Sequence, residues 1–177
     1  MNKFWAVLVA MIVGANAAAA ESIASVYSRH DYEKCRKTGD DDPILERRCV
    51  GHDGIAVHWV NEPDSSSVSF GADGAVGAEY DPRFTFAVAG DVIEWRGPLR
   101  RGKVVPHVAI VRYQLCRSVG GPCAPELAIY RLVGKRASCI AATVNGRRSD
   151  ANARAREIAD QFARNFDCEK DKWRAPE

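Results

Sequence analysis

Apolar residues recur at every second position through the middle of the chain and at helical spacing near its end. Ile55, Val57 and Trp59 share one side with His58 opposite; after the turn cluster Asn61-Glu62-Pro63-Asp64, Val68 and Phe70 alternate with Ser65, Ser67 and Ser69. Period two on both sides of a turn predicts a β-hairpin with Trp59 and Phe70 inward and His58 and the serines toward water. Phe84, Phe86 and Val88, followed across Gly90-Asp91 by Val92 to Trp95, predict a second hairpin. From Val108, a longer half-buried strand sets Ala109, Val111, Tyr113 and Leu115 against Arg112 and Gln114, and residues 127–133 and 137–144 supply two more strands. Residues 21–50 are polar and read as a loop with a short strand or helical turn, and the glycine-bearing stretch 71–82 as a long loop.

The period then changes. Ala151, Ala155, Ile158, Ala159, Phe162 and Phe166 form one stripe, and Arg154, Arg156, Asp160 and Arg164 lie on the other side. With Ser149-Asp150 as N-cap, this predicts an amphipathic helix of about five turns ending near Asp167. A helix with one apolar stripe after half-buried strands must lie on a sheet face. The predicted fold is therefore α+β: an antiparallel sheet of six or seven strands made of hairpins, with one C-terminal amphipathic helix packed on a face. Residues 21–168 form a single domain and 169–177 a charged tail.

The first 20 residues have a different pattern. Asn2-Lys3 precedes an apolar run from Phe4 to Gly14, and small residues follow up to Ala20. This is the order of a cleavable signal peptide, and the apolar run is shorter than the about 20 residues a membrane span needs. It predicts a periplasmic or secreted protein, with no membrane insertion once the signal is removed. Without Lys3, 24 basic residues face 23 acidic ones, so the charge gives no steering toward nucleic acid.

Six cysteines, Cys35, Cys49, Cys116, Cys123, Cys139 and Cys168, lie beyond that segment. An even count in an exported chain implies disulfides. The connectivity is open among the possible pairings; sequential pairing is expected, because Cys35 and Cys49 flank an irregular polar stretch, Cys116 and Cys123 flank a Gly-Gly-Pro turn, and Cys139 and Cys168 remain. The spacings are too wide for a CxxC-type metal or redox site.

Motifs of catalysis are absent. His30, His52, His58 and His107 are not at ligand spacing, no GxSxG occurs, the stretch 71–77 lacks the Lys-Ser/Thr of a P-loop, and Asp40-Asp41-Asp42 lacks the alternation of a calcium loop. No catalytic set, metal or cofactor is implied. The best candidate surface is a basic loop, Arg96, Arg100, Arg101 and Lys103, close to Trp95 and His107, able to grip an anionic ligand or an acidic protein edge.

The Cys35 segment with Arg48-Cys49-Val50-Gly51, the central Ile93-Glu94-Trp95-Arg96, and Ser138-Cys139-Ile140 leading to Asp150-Ala-Asn-Ala and Cys168 resemble small exported alphaproteobacterial proteins of unknown function. The resemblance spans most of the chain after residue 20 and implies no activity; Cys116 and Cys123 are an addition to its pattern. The leading expectation is a monomeric, non-catalytic binding module whose partner is a periplasmic protein or a small anion. The alternatives are an inhibitor of a cell-wall lytic enzyme, a hydrolase using an unassigned histidine such as His52 or His58, and a structural or envelope-stress protein.

Overall fold

The computed structural model describes residues 21–40, 43–75 and 86–174. Residues 1–20, expected as a signal peptide, Asp41-Asp42, the stretch 76–85 with Phe84, and the last three residues lie outside the described residues. The strands are β1 (Ile23–Arg29), β2 (Arg36–Lys37), β3 (Leu45–Val50), β4 (Ala56–Glu62), β5 (Ser65–Phe70), β6 (Gly74–Ala75), β7 (Ala87–Arg100), β8 (Lys103–Val104), β9 (Val108–Cys116), β10 (Cys123–Val133) and β11 (Ala137–Asn145), followed by helix α1 (Ala151–Gln161) and a 3₁₀ turn, Ala163–Asn165.

These form the α+β fold, arranged in three layers. A seven-stranded sheet runs β1-β7-β9-β10-β11-β6 with β8 paired to β7, and a four-stranded sheet runs β2-β3-β4-β5. Pairing is antiparallel except between β6 and β11. The larger sheet lies in the middle. On one face Ile93, Trp95, Val111, Tyr113 and Tyr130 meet Val57, Trp59, Val68 and Phe70 of the smaller sheet. On the other, Val108, Ile110, Leu127, Ile129 and Val144 meet α1. Ala151, Ala155, Ala159 and Ala163, spaced by four, form the buried ridge of the helical segment and keep it close to the sheet.

The 55–70 hairpin forms as its alternation predicts. β5 is an edge strand, yet it is buried against the large sheet, so its outward amides need partners there. Val68 N–H donates to Tyr113 Oη at 3.1 Å and Phe70 N–H to Ser138 Oγ at 2.8 Å, while Tyr113 Oη pairs with Tyr130 Oη at 2.8 Å.

Several local expectations change. Gly90-Asp91 is not a hairpin turn: β7 continues through it, with a bulge against β9 between Ala89 and Ile93. The bulge carbonyls are taken up from outside, Asp91 by His30 N–H at 2.8 Å and Gly90 by Tyr32 Oη at 2.9 Å. A side chain at Gly90 would press to 2.7 Å from the Arg112 carbonyl. Residues 21–50, expected as mostly loop, contain β1, β2 and β3. The helix is shorter than expected; past Gln161 the chain tightens into the 3₁₀ turn and brings Cys168 back to Cys139. Asp150 stands at the N-cap, but its carboxylate takes both Arg148 guanidinium donors, at 2.9 and 3.0 Å, instead of capping the backbone.

The disulfides are sequential: Cys35–Cys49, Cys116–Cys123 and Cys139–Cys168, with separations of 14, 7 and 29 residues. The last joins β11 to the segment after α1. On the chain-entropy account a loop of that length constrains the unfolded chain by about 3.6 kcal/mol and the shortest by about 2.5. We expect Cys139→Ala/Cys168→Ala to cost about 3 to 4 kcal/mol in urea unfolding, more than Cys116→Ala/Cys123→Ala; the reverse order would contradict it.

Candidate functional site

β7 presents alternate residues to the two layers, and this divides the basic segment predicted as one surface. Trp95 points into the core, fully buried, its ring edge-on to Phe70 at 5.3 Å. It is removed from the candidate surface. Arg96 faces α1 and gives both sides of its fork to Asp160, Nε to Oδ1 at 2.7 Å and Nη2 to Oδ2 at 2.6 Å, with Nη1 donating to Ser25 Oγ at 2.9 Å. One turn earlier the polarity is inverted: Arg156 Nε donates to Glu94 Oε1 at 2.7 Å, and Ser25 Oγ donates to the same oxygen at 2.6 Å. Arg96 is thus a tie between sheet and helix and is also removed.

The expected loop is strand through Arg100, then a tight two-residue turn. Arg100 pairs with Lys103, and the intervening Arg101 and Gly102 have φ of 50° and 76°, the left-handed pair that a type I′ hairpin requires. Arg101 and Lys103 stand exposed at its tip. Arg100 folds back, its Nε donating to Glu21 Oε1 at 3.0 Å.

His107 and Arg100 do come together, with partners that the sequence did not single out. They line an open cleft of about 260 Å³ with Glu21, Pro98, Arg131, Arg164 and Asn165. Gly97 makes it possible: the 105–106 backbone lies so close to β7 that a Cβ on Gly97 would sit 2.0 Å from the Val105 carbonyl. His107 is then fixed by main-chain bonds, its N–H to the Arg96 carbonyl and its carbonyl receiving Leu132 N–H, both at 3.0 Å. Arg131, at the end of β10, donates Nη1 to the same carbonyl at 3.2 Å. Arg164 enters from the 3₁₀ turn.

Acids neutralise several of the protein's arginines. Arg29, Arg96, Arg100, Arg148, Arg154 and Arg156 each face a carboxylate within ion-pair distance. Among the described residues Arg131 and Arg164 face none. Burial, then the charge of Arg164, push the Arg131 guanidinium below its ordinary range. His107 Nε2 is buried without a hydrogen-bond partner. Burial first, then Arg131 and Arg164, hold its imidazole below the usual value of 6.5. Two guanidinium groups without carboxylates and a histidine with a buried, unpartnered ring nitrogen line the cleft from three elements.

The other histidines are engaged structurally. His52 Nε2 pairs with the Val104 carbonyl at 3.0 Å and His58 Nε2 with the Gly71 carbonyl at 2.7 Å. They do not assemble with Arg96, which lies on the helix side of the sheet. His30 is 2.7 Å from Ser28 Oγ, the spacing of a nucleophile and its base. That hydroxyl also accepts the indole N–H of Trp95 at 2.7 Å, so the pair serves to satisfy a buried polar group in the core. Among the described residues no group of three or more His, Cys, Asp or Glu side chains could hold a metal ion, and no helix is long and apolar enough to cross a membrane. The chain matches no protein-family model, no curated protein and no solved structure.

His107 was within reach of the sequence because it borders the basic run. Arg131 and Arg164 were not, since 33 positions separate them and each reads as the polar side of its own element. The cleft's titration gives a stability test. His107 and His30 both sit low because of burial, so the unfolded chain takes up protons near 6.5 that the fold resists. Their contribution is fully present above 6.5 and is lost as pH falls through it. We expect the thermal midpoint to fall between about pH 7.5 and 5.5, and His107→Gln to shrink that fall; a flat wild-type profile in this window would contradict it.

Proposed function

We propose that this protein is an exported, periplasmic binding module, not an enzyme, and that it takes an anionic ligand in the cleft between the end of β10, the segment before β9 and the 3₁₀ turn. The observation that carries the reading is the pair Arg131 and Arg164, without carboxylates, beside the buried unpartnered Nε2 of His107. The charge of Arg164 disfavours that of the half-buried Arg131, and an anion relieves the repulsion. Export is supported by the signal-like pattern of residues 1–20 and by three disulfides, which persist in oxidising compartments.

The scaffold suits this role. The cleft rests on strand ends of a sheet buried on both faces, so His107 and Arg131 are held by main-chain hydrogen bonds before a ligand arrives, which reduces the ordering cost of binding.

A ligand that binds only the folded state raises its thermal midpoint by mass action. At low ionic strength we expect millimolar sulfate, phosphate or acetate to raise the midpoint of the chain lacking residues 1–20. Arg131→Glu/Arg164→Glu should abolish the rise, and Arg101→Glu, at the exposed hairpin tip, should leave it intact. Equal rises in all three proteins, or none in the wild type, would overturn the proposal.

A further inference from the structure

We infer that the cleft is built for a tetrahedral dianion, a phosphoryl or sulfuryl group, held by Arg131, Arg164 and His107 together; this rests on the anion-binding reading above. The number and origin of the donors carry the inference. Arg131 comes from the end of β10, His107 from the segment entering β9, and Arg164 from the 3₁₀ turn after α1. One guanidinium fork already satisfies both oxygens of a planar carboxylate. Three donors from three directions match a centre that carries three or more oxygens.

Charge and size agree. Arg131 and Arg164 have no carboxylate opposite them among the described residues, and the cleft's one acid, Glu21, is taken by Arg100. The uncompensated side-chain charge is that of two guanidinium groups, joined once residues 1–20 are removed by the α-ammonium of Glu21, and a dianion balances it better than a monoanion. At about 260 Å³ the cleft is smaller than sites for whole cofactors, which span roughly 300 to 1,000 Å³. It accommodates an anionic group with a few attached atoms, the remainder of a larger ligand lying outside its mouth.

His107 makes the recognition proton-linked. The charged groups acting on it are Arg131 from β10, Arg164 from the 3₁₀ turn, Asp160 from α1 and Arg96 from β7. Asp160 and Arg96 are bound to one another, so the pair in the cleft decides the balance. In the empty protein the ring is neutral at pH 7 and its buried Nε2 lacks a partner. A dianion in the cleft favours the protonated ring, which turns its Nε2–H, buried in the empty protein, toward a ligand oxygen. The bound complex therefore takes up a proton, and affinity rises as pH falls toward and below 6.5.

Isothermal titration calorimetry of the chain lacking residues 1–20, at low ionic strength, tests this with sulfate, methyl phosphate, inorganic phosphate and acetate. Sulfate does not titrate in this range, so any pH dependence of its binding belongs to the protein. We expect sulfate and methyl phosphate to bind about tenfold or more tightly than acetate. Sulfate affinity should rise from about pH 7.5 to 5.5 in the wild type and lose that rise in His107→Gln. Arg164→Met, a change at an exposed residue, should weaken sulfate binding about tenfold or more without unfolding the chain. Methyl phosphate binding as tightly as inorganic phosphate assigns the group to a larger molecule, and weaker binding assigns it to the free ion; both support the dianion. Acetate binding as tightly as sulfate overturns the tetrahedral class and leaves the anion cleft standing. A pH-independent sulfate affinity overturns the role of His107, and no binding of any anion overturns both readings.

Discussion

Because β7 is covered on both faces, its side chains must alternate between two unlike surroundings. Ile93 and Trp95 go down into an apolar layer against the small sheet, and Glu94 and Arg96 go up toward α1. Charges in that position are tolerable only when matched, and the helix supplies the complement at the right spacing, Arg156 and Asp160 one turn apart. Ser25 on β1 lies between the two pairs and bonds to both. Such pairs contribute little net stability, since desolvation offsets their attraction, but removing one partner would strand a half-buried charge at a cost of about 3 to 5 kcal/mol. Their effect is to fix how the helix lies across the sheet. The Cys139–Cys168 bond closes the same layer covalently at its far end.

This packing accounts for the cleft. With α1 held in register by Glu94 and Arg96, the 3₁₀ turn beyond it is delivered to the end of β10, and Arg164 arrives beside Arg131. Gly97, two residues from Trp95 on the same strand face, lets the 105–106 backbone cross against β7 and sets His107 between them. Several arginines elsewhere are matched by carboxylates, whereas Arg131 and Arg164 meet in the cleft without one.

Much of the architecture was legible in the sequence where the hydrophobic effect writes it directly. The 55–70 hairpin, β9 to β11 and the alanine stripe of α1 follow from their periods, and the α+β fold follows from them; the disulfides pair in the order of the cysteines along the chain. β1 escaped because Ser25, Tyr27 and Ser28 meet Glu94, Arg156 and Trp95, so polar residues occupy both of its faces and the alternation disappears. β3 escaped because Glu46, Arg47 and Arg48 are held in a strand by pairing with β4, not by an apolar pattern of their own. Gly90-Asp91 has turn chemistry, and a bulge uses the same residues. The site was half legible: a run of basic residues marks charge, but only strand alternation decides that Trp95 and Arg96 turn away, and only tertiary folding brings Arg131 and Arg164 to His107.

The account stands or falls on whether the anion goes to this cleft and nowhere else. Titrating sulfate into the ¹⁵N-labelled protein and following amide and arginine side-chain resonances by NMR tests it most directly. Binding in the cleft gives saturable shifts concentrated at His107, Arg131, Arg164 and Asn165, with the Arg101 hairpin tip unmoved. Shifts spread evenly over the exposed arginines, or centred on another cleft, would contradict it.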